Sequence, residues 1–375
     1  MIRPDLPGPM RRRGPRPLMM HLAPPGLPSL QAVLAGSPLP GGGLPGWADP
    51  ALVAGIAAYR RHPWQRSLPD PPALWTEGDA RLLDYGHHAA PDALPVLFVP
   101  SLVNRAYVLD LLPDRSLLRW LAAQGLRPLL LDWGWPGAAE RAMTLTDVIA
   151  GPLERAMAAV GRPVVLAGYC MGGLLALAAA LRRPELVRAL ALLATPWDFH
   201  GAGPDQPRRV GASLSLLEPM LAATGTLPVD ALQALFALPD PGAIAAKFRA
   251  FARMDRDGDA ARDFVALEDW LNDGVPLAAP VAREALGGWY GANAPGRGAW
   301  QVAGRTVDPA ALAVPAFVAA PVRDRIVPPE SALPLARLIP GAVLHQPAAG
   351  HIGMVAGPRA RDALWLPLLD WLRGL

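Results

Sequence analysis

From residue 94 onward, short apolar runs alternate with longer stretches of helical periodicity. Pro95 to Pro100 (Pro-Val-Leu-Phe-Val-Pro) is an uninterrupted apolar run of strand length. Ser116 to Gln124 places apolar residues at helical spacing and stops at Gly125. Arg127 to Asp132 predicts a second strand, Val148 to Val160 a helix, and Pro163 to Ala167 a third strand. Leu174 to Arg183 continues as helix and Ala189 to Ala194 as strand. Two later strands are predicted at Ala316 to Pro321 and Ala342 to His345, with a closing helix over Ala363 to Leu372. Apolar strands without polar alternation, separated by helices, predict a mainly parallel sheet covered on both faces. Between Phe199 and about Leu312 strand signals are scarce and Ala/Leu-rich helix dominates.

This pattern divides the chain. Residues 94–198 and 313–375 form an α/β core, and residues 199–312 are an inserted helical cap. Residues 51–93 are a partly helical extension, with Ala51 to Arg61 helical up to Pro63. Residues 1–50 are rich in Pro and Gly, clustered at Pro40 to Gly43, and read as a flexible leader with one short helix near Leu30 to Leu34.

Composition narrows the class. At 375 residues and 52% hydrophobic content the chain can bury a sizeable core, and it is too apolar for general disorder. Formal net charge is only +3, although the sequence pI is about 9.4. Lys247 is the only lysine, so the cations are otherwise arginine, which raises the pI without making a basic surface at neutral pH. No nucleic-acid footprint follows. Arg11, Arg12, Arg13 and Arg16 form the one basic cluster, either a solvated tail or an anion-binding arm. The prolines after it break the apolar stretch that a secretion signal needs. The charge-free window Pro163 to Leu181 reads as a buried strand and helix rather than a membrane span. One cysteine excludes a disulfide framework, a zinc ribbon or an iron–sulfur cluster on this chain alone, and a lone thiol fits a reducing cytosol. No metal site or dinucleotide fingerprint is visible: His87 and His88 are adjacent, and Gly41 to Gly43 follow no strand.

That cysteine carries the chemistry. Gly168-Tyr169-Cys170-Met171-Gly172-Gly173 stands between Val164 to Ala167 and Leu174 to Ala178, the strand–turn–helix of a nucleophile elbow. The other reading is a core cysteine in a Gly-rich turn. An elbow needs a base and an acid in the chain order nucleophile, acid, histidine. Of the histidines after Cys170, His351 lies in a loop between the last strand and the last helix, whereas His345 ends the strand and reads as structural. Asp324 lies just past the strand Ala316 to Pro321. It is the candidate acid, or else a surface aspartate paired with Arg323 or Arg325. The oxyanion hole would use the N–H of Met171 and one from the loop after Val96 to Val99, with Leu102 first and Val103 next. A cysteine attacking a thioester keeps the acyl group activated, which hints at acyl transfer from a thioester such as an acyl-CoA, although some hydrolases also use cysteine.

With these residues in place, the sequence resembles the polyhydroxyalkanoate synthase family of the α/β-hydrolase superfamily. Val99 to Leu111 is similar to the family's V-P-P-x-I-N-x-x-Y-I-L-D-L segment, and Gly168 to Gly173 to its G-Y-C-x-G-G box. Thr195 to Phe199, Leu267 to Asp273, Asp324 to Pro328 and Gly350 to Ile352 resemble four further family segments, in order. Departures are Ser101 for a second proline, Asp132 to Pro136 for S-W-R-N-P, Arg325 for a histidine, and Trp289 to Gly291 without the Y-L-R. The resemblance implies an acyltransferase. His351 would deprotonate Cys170, which takes a 3-hydroxyacyl group from CoA. Asp324, directly or through His351, would help activate the acceptor hydroxyl of a growing polyester. It also implies a cytoplasmic enzyme at a granule surface, as a homodimer or with a separate synthase subunit, and with no cofactor beyond the acyl-CoA substrate. A cysteine-dependent hydrolase (thioesterase, esterase or depolymerase) and an inactive granule-associated protein remain open alternatives at this stage.

Overall fold

Eight strands form one sheet in the order β1-β2-β4-β3-β5-β6-β7-β8. They are β1 (Ala73–Glu77), β2 (Ala80–Asp84), β3 (Pro95–Val99), β4 (Arg127–Asp132), β5 (Val164–Tyr169), β6 (Val187–Leu193), β7 (Ala316–Ala319) and β8 (Val343–His345). The computed structural model describes residues 12, 14–18, 48–238, 240 and 242–375. From β4 through β8 every pairing is parallel, whereas β1–β2 and β2–β4 are antiparallel. Strands β3, β5 and β7 are buried at every position. Their Val/Leu/Ala runs therefore face apolar neighbours on both sides, which is why they lack polar alternation. Edge strand β1 instead mixes exposed and half-buried positions.

Helices fill the crossovers. Ser116 caps α1 (Leu117–Ala123) by accepting the N–H of Arg119 at 3.1 Å, and Gly125 ends that turn at φ +86°. The helix α2 (Met171–Arg182) follows β5 and is buried over its first ten residues. Beyond them come α3 (Asp205–Thr224), α4 (Pro329–Leu338) and α5 (Leu366–Arg373). The apolar window Pro163 to Leu181 is thus a strand and the buried part of α2, and among the described residues no helix is long and apolar enough to cross a membrane.

Strand order reverses beside β3: the chain leaves it for β4 on one side and later returns to β5 on the other. Such a switch point opens a crevice at the carboxyl ends of the strands. The loops after β3, β4 and β5 all emerge there.

The residues divide into two units, one of Leu68–Leu232 with Gly274–Leu375, which holds the sheet, and one of residues up to Ser67 with Gln233–Asp273. The insertion 199–312 is therefore shared between them. In the smaller unit, the helices Pro50–Arg61, Ala243–Phe251 and Asp259–Asn272 pack Leu52, Ile56, Tyr59, Phe248, Phe251 and Val265 into one core. Glu268 is buried there against Lys247, Nζ to Oε1 2.5 Å, and Tyr59 donates to Asp269 at 2.9 Å.

Two features differ from the sequence reading. Residues 51–93 hold, besides their helix, the hairpin β1–β2, turned at Gly78 with φ +57°. Arg12 is not a solvated tail residue: its Nε donates to Asp269 at 2.7 Å and its other nitrogens to the carbonyls of His62 and Trp64. Arg16 donates its backbone N–H to Asn272 Oδ1 at 2.8 Å. Three backbone and side-chain acceptors in one place hold a guanidinium better than water-exposed tail would. Arg11, Arg13 and the helix expected near Leu30 to Leu34 lie outside the described residues.

The packing of α2 on the sheet depends on missing side chains. A Cβ on Gly172 would run into the Val99 carbonyl, and one on Gly173 into Thr195. Gly172→Ala is expected to cost at least about 2 kcal/mol in chemical denaturation, through overpacking against backbone that cannot yield. Gly125→Ala has open space around it and pays only the left-handed strain of about 1 kcal/mol. Equal losses in the two variants would show that close approach is not what the elbow glycines provide.

Candidate active site

Cys170 sits between β5 and α2 with φ 56° and ψ −129°, a conformation that L-residues rarely adopt. Two bonds hold it there. Its N–H donates to Leu193 at 2.9 Å, extending the β5–β6 pairing by one residue, and its carbonyl accepts from Gly173 at 3.0 Å. Gly168 and Gly173 face each other across the turn, so a Cβ on Gly168 would meet the backbone of Gly173. The thiol is half-buried and packs beside Ala320, Val327 and Ala332.

Asp324 and His351 come together from two different loops. Asp324 Oδ2 accepts from His351 Nδ1 at 2.6 Å. Its other oxygen accepts the N–H groups of Ile326 at 2.8 Å and Val327 at 2.9 Å, so the buried carboxylate is fully engaged and is not a surface partner of Arg323. With Nδ1 committed, Nε2 is the nitrogen left for the thiol, and Cys170 acts on the charge of His351. Burial disfavours the imidazolium. The charge of Cys170 and the hydrogen bond to Asp324 outweigh it, and His351 is pushed up to about 10.

Tyr169, next to Cys170, closes the arrangement. Its hydroxyl donates to the His351 carbonyl at 3.2 Å, and its ring lies 5.1 Å from the imidazole. Burial, with the charges of Cys170 and Asp324, holds that phenol well above its ordinary range, so it remains a donor. Tyr290 is raised too, by burial first and then by Cys170. It is reached through Phe199, ring centroids 4.9 Å apart, and lies on a π-helical turn, Glu284–Gly291. Neither tyrosine was singled out from the sequence. Tyr169 could have been found as the residue inside the elbow motif, and Tyr290 from its place beside Trp289 in the cap.

The expected oxyanion groups border the same crevice. Met171 is the first residue of α2, so its N–H has no intrahelical partner. Leu102 is in the loop after β3, which Trp133 steadies by donating Nε1 to the Pro100 carbonyl at 3.1 Å. Val103 is otherwise engaged: its N–H donates to Ser101 Oγ at 3.3 Å and its carbonyl accepts from Val275 at 3.0 Å. Ser101, which stands where the resemblance expects proline, thus folds this loop with its hydroxyl.

The other two histidines after Cys170 serve backbone contacts. His345 Nε2 meets the Ala363 carbonyl at 2.6 Å, and His200 Nε2 the Tyr290 carbonyl at 2.8 Å. Among the described residues, no group of three or more His, Cys, Asp or Glu could hold a metal ion.

A cysteine on a sharp strand–helix turn, with a His–Asp pair at the carboxyl edge of a mainly parallel sheet, is the arrangement of an α/β hydrolase. The family model for the alpha/beta hydrolase fold matches residues 95–358. A solved thioesterase domain from the curacin biosynthetic pathway has the same fold, with TM-score 0.50 and 17% identity over 83% of this chain and 100% of that one. Curated relatives narrow the class. A poly(3-hydroxyalkanoate) polymerase subunit PhaC of Synechocystis sp. is 30% identical over 297 residues, 75% of this chain and 78% of the relative. One of Haloferax mediterranei is 30% identical over 308 residues, 80% of this chain but only 62% of the relative's length. The chain belongs to the poly(3-hydroxyalkanoate) polymerase family.

A raised histidine gives a signed pH effect. Its folded value lies above the ordinary 6.5, so its contribution to stability is fully present below that pH and is lost as pH rises through about 10. Nitrogen-15 NMR of labelled histidine is expected to show His351 titrating near that value in the wild type, and lower in Cys170→Ala. An unchanged titration in the variant would remove Cys170 as a cause.

Proposed function

We propose that the protein is an acyltransferase that builds polyester from 3-hydroxyacyl-CoA. Three residues carry the reaction. Cys170 Sγ attacks the thioester carbonyl with the thiol proton already held on His351. Asp324 fixes the imidazole so that Nε2 faces the sulfur. Charge develops on the carbonyl oxygen, and the N–H groups of Met171 and Leu102 are the donors for it. The C–S bond to CoA then breaks, and the proton on His351 passes to the departing CoA sulfur.

The enzyme-bound group is again a thioester, so little of its transfer potential is lost. In the second half, the hydroxyl of a chain end attacks that carbonyl. His351 accepts its proton, the new C–O bond forms and the C–S bond to Cys170 breaks. The sulfur recovers its proton from His351. The polyester is one unit longer, and the enzyme is unchanged. In this reading the enzyme works in the cytoplasm at the polyester surface, as a homodimer or with a second synthase subunit.

The observation that supports this reading is Cys170 at the positive-φ elbow, acting electrostatically on the buried His351–Asp324 pair, in a chain of the polymerase family. A serine there would form an oxygen ester and give up the thioester's driving force.

Purified protein with 3-hydroxybutyryl-CoA is expected to release CoA thiol and yield polyester or oligomer, and Cys170→Ala to do neither. Asp324→Asn and His351→Gln are expected to slow CoA release by about 10²-fold or more. Release accompanied only by free 3-hydroxybutyrate would make the protein a hydrolase. Absence of release, with candidate partner subunits also supplied, would refute the acyl-CoA reading.

A further inference from the structure

Cys170, His351 and Asp324 have their parts in the proposed transfer, but the side chain packed on the imidazole has none. Tyr169 is the last residue of β5, and its backbone is paired with Leu193 of β6. Its ring is buried, as is the imidazole of His351. The two centroids are 5.1 Å apart with 33° between the planes, so the rings meet closer to face-to-face than edge-on. An aromatic face within about 6 Å of a cation attracts it through the ring quadrupole, and more strongly where water is excluded.

The hydroxyl serves the same residue. In the turn that carries His351, the Gly350 carbonyl accepts from Met354, and the Ile352 carbonyl from Val355 and Ala356. Among the described residues, the His351 carbonyl is reached only by the Tyr169 hydroxyl, at 3.2 Å. A buried carbonyl without a donor is costly, so this turn depends on the phenol. One residue thus holds the main chain of His351 with its oxygen and faces the imidazole with its ring.

The charges that act on His351 are those of Cys170 and Asp324. Arg323 and Arg325 flank Asp324 in the chain but are exposed. The Tyr169 phenol keeps its proton, because burial and the charges of Cys170 and Asp324 oppose its ionisation. It acts on His351 as a neutral π-face and a donor, and adds no third anion to the site.

We propose that Tyr169 is a positioning residue for the transfer: its ring holds the imidazolium of His351, and its hydroxyl holds the backbone from which that imidazole projects. Its part in turnover rests on the polymerase reading, whereas the titration of His351 tests the ring with no substrate present. The sign is fixed by the chemistry. A reaction that starts from thiolate and imidazolium loses rate as His351 deprotonates, so a weaker hold on the imidazolium moves the alkaline limb of CoA release to lower pH.

The test uses the full chain with Tyr169→Phe, and with difluorinated or trifluorinated phenylalanine at the same position. Fluorine drains the negative face of the ring with little change in size, so packing is kept while attraction for a cation falls. His351 is followed by nitrogen-15 NMR, and CoA release from 3-hydroxybutyryl-CoA is measured across pH. Tyr169→Phe is expected to leave His351 titrating near the wild-type value but to slow CoA release by about fivefold or more, through the lost donor. Against Phe, the trifluorinated ring is expected to lower the titration by about 0.5 pH or more, with the difluorinated ring between, and the alkaline limb of kcat is expected to follow. A purely structural ring would give three proteins that titrate alike, and that result overturns the inference. So does CoA release by Tyr169→Phe at the wild-type rate. Wild-type protein that releases no CoA refutes the acyl-CoA reading, and the role in turnover falls with it; that result is recognised without any variant.

Discussion

The structure turns on one close contact, the approach of α2 to the ends of β3, β5 and β6. Gly168, Gly172 and Gly173 allow it because each would otherwise drive a Cβ into backbone or a neighbouring side chain. The contact forces Cys170 to a positive φ, at a cost on the order of 1–3 kcal/mol. The hydrogen bonds to Leu193 and from Gly173, and the buried length of α2 behind them, over-determine that conformation. What the strain provides is position. The thiol stands at the sheet's switch point, at the start of α2.

The second constraint is the cost of burying charge. Asp324 is acceptable in the interior because its oxygens accept from His351, Ile326 and Val327. His351 can then keep a proton well above the ordinary histidine range, because a carboxylate lies on one ring nitrogen and the sulfur on the other. Tyr169 couples this electrostatic device to the elbow, since the residue before Cys170 also holds the histidine loop by its carbonyl. Geometry and charge are thus set by neighbouring residues of one motif.

Much of this was legible in the sequence. Fully buried parallel strands leave uninterrupted apolar runs, and β3, β4 and β5 were read directly from theirs. The elbow has a signature because its glycines are required by sterics, and Asp324 and His351 follow from chain order once the nucleophile is placed. The hairpin β1–β2 was missed because an edge strand with mixed exposure leaves no such run, although Gly78-Asp79 marked its turn. The docking of Arg12 on Asp269, His62 and Trp64 joins residues far apart in the chain, and local composition says nothing of it. The membership of Gln233–Asp273 in the smaller unit is equally non-local. Tyr290 shows in the sequence only as a departure from the family's cap motif, because its nearness to Cys170 is brought about by the folded chain alone.

The central claim is that Cys170 takes the acyl group covalently. Rapid quenching of the protein with 3-hydroxybutyryl-CoA, followed by intact-mass and peptide mass spectrometry, tests it most directly. The account predicts a thioester-linked adduct of one or more 3-hydroxybutyryl units on the peptide bearing Cys170, removed by hydroxylamine. CoA release with no adduct there at any quench time, or with the acyl group on another residue, would contradict it.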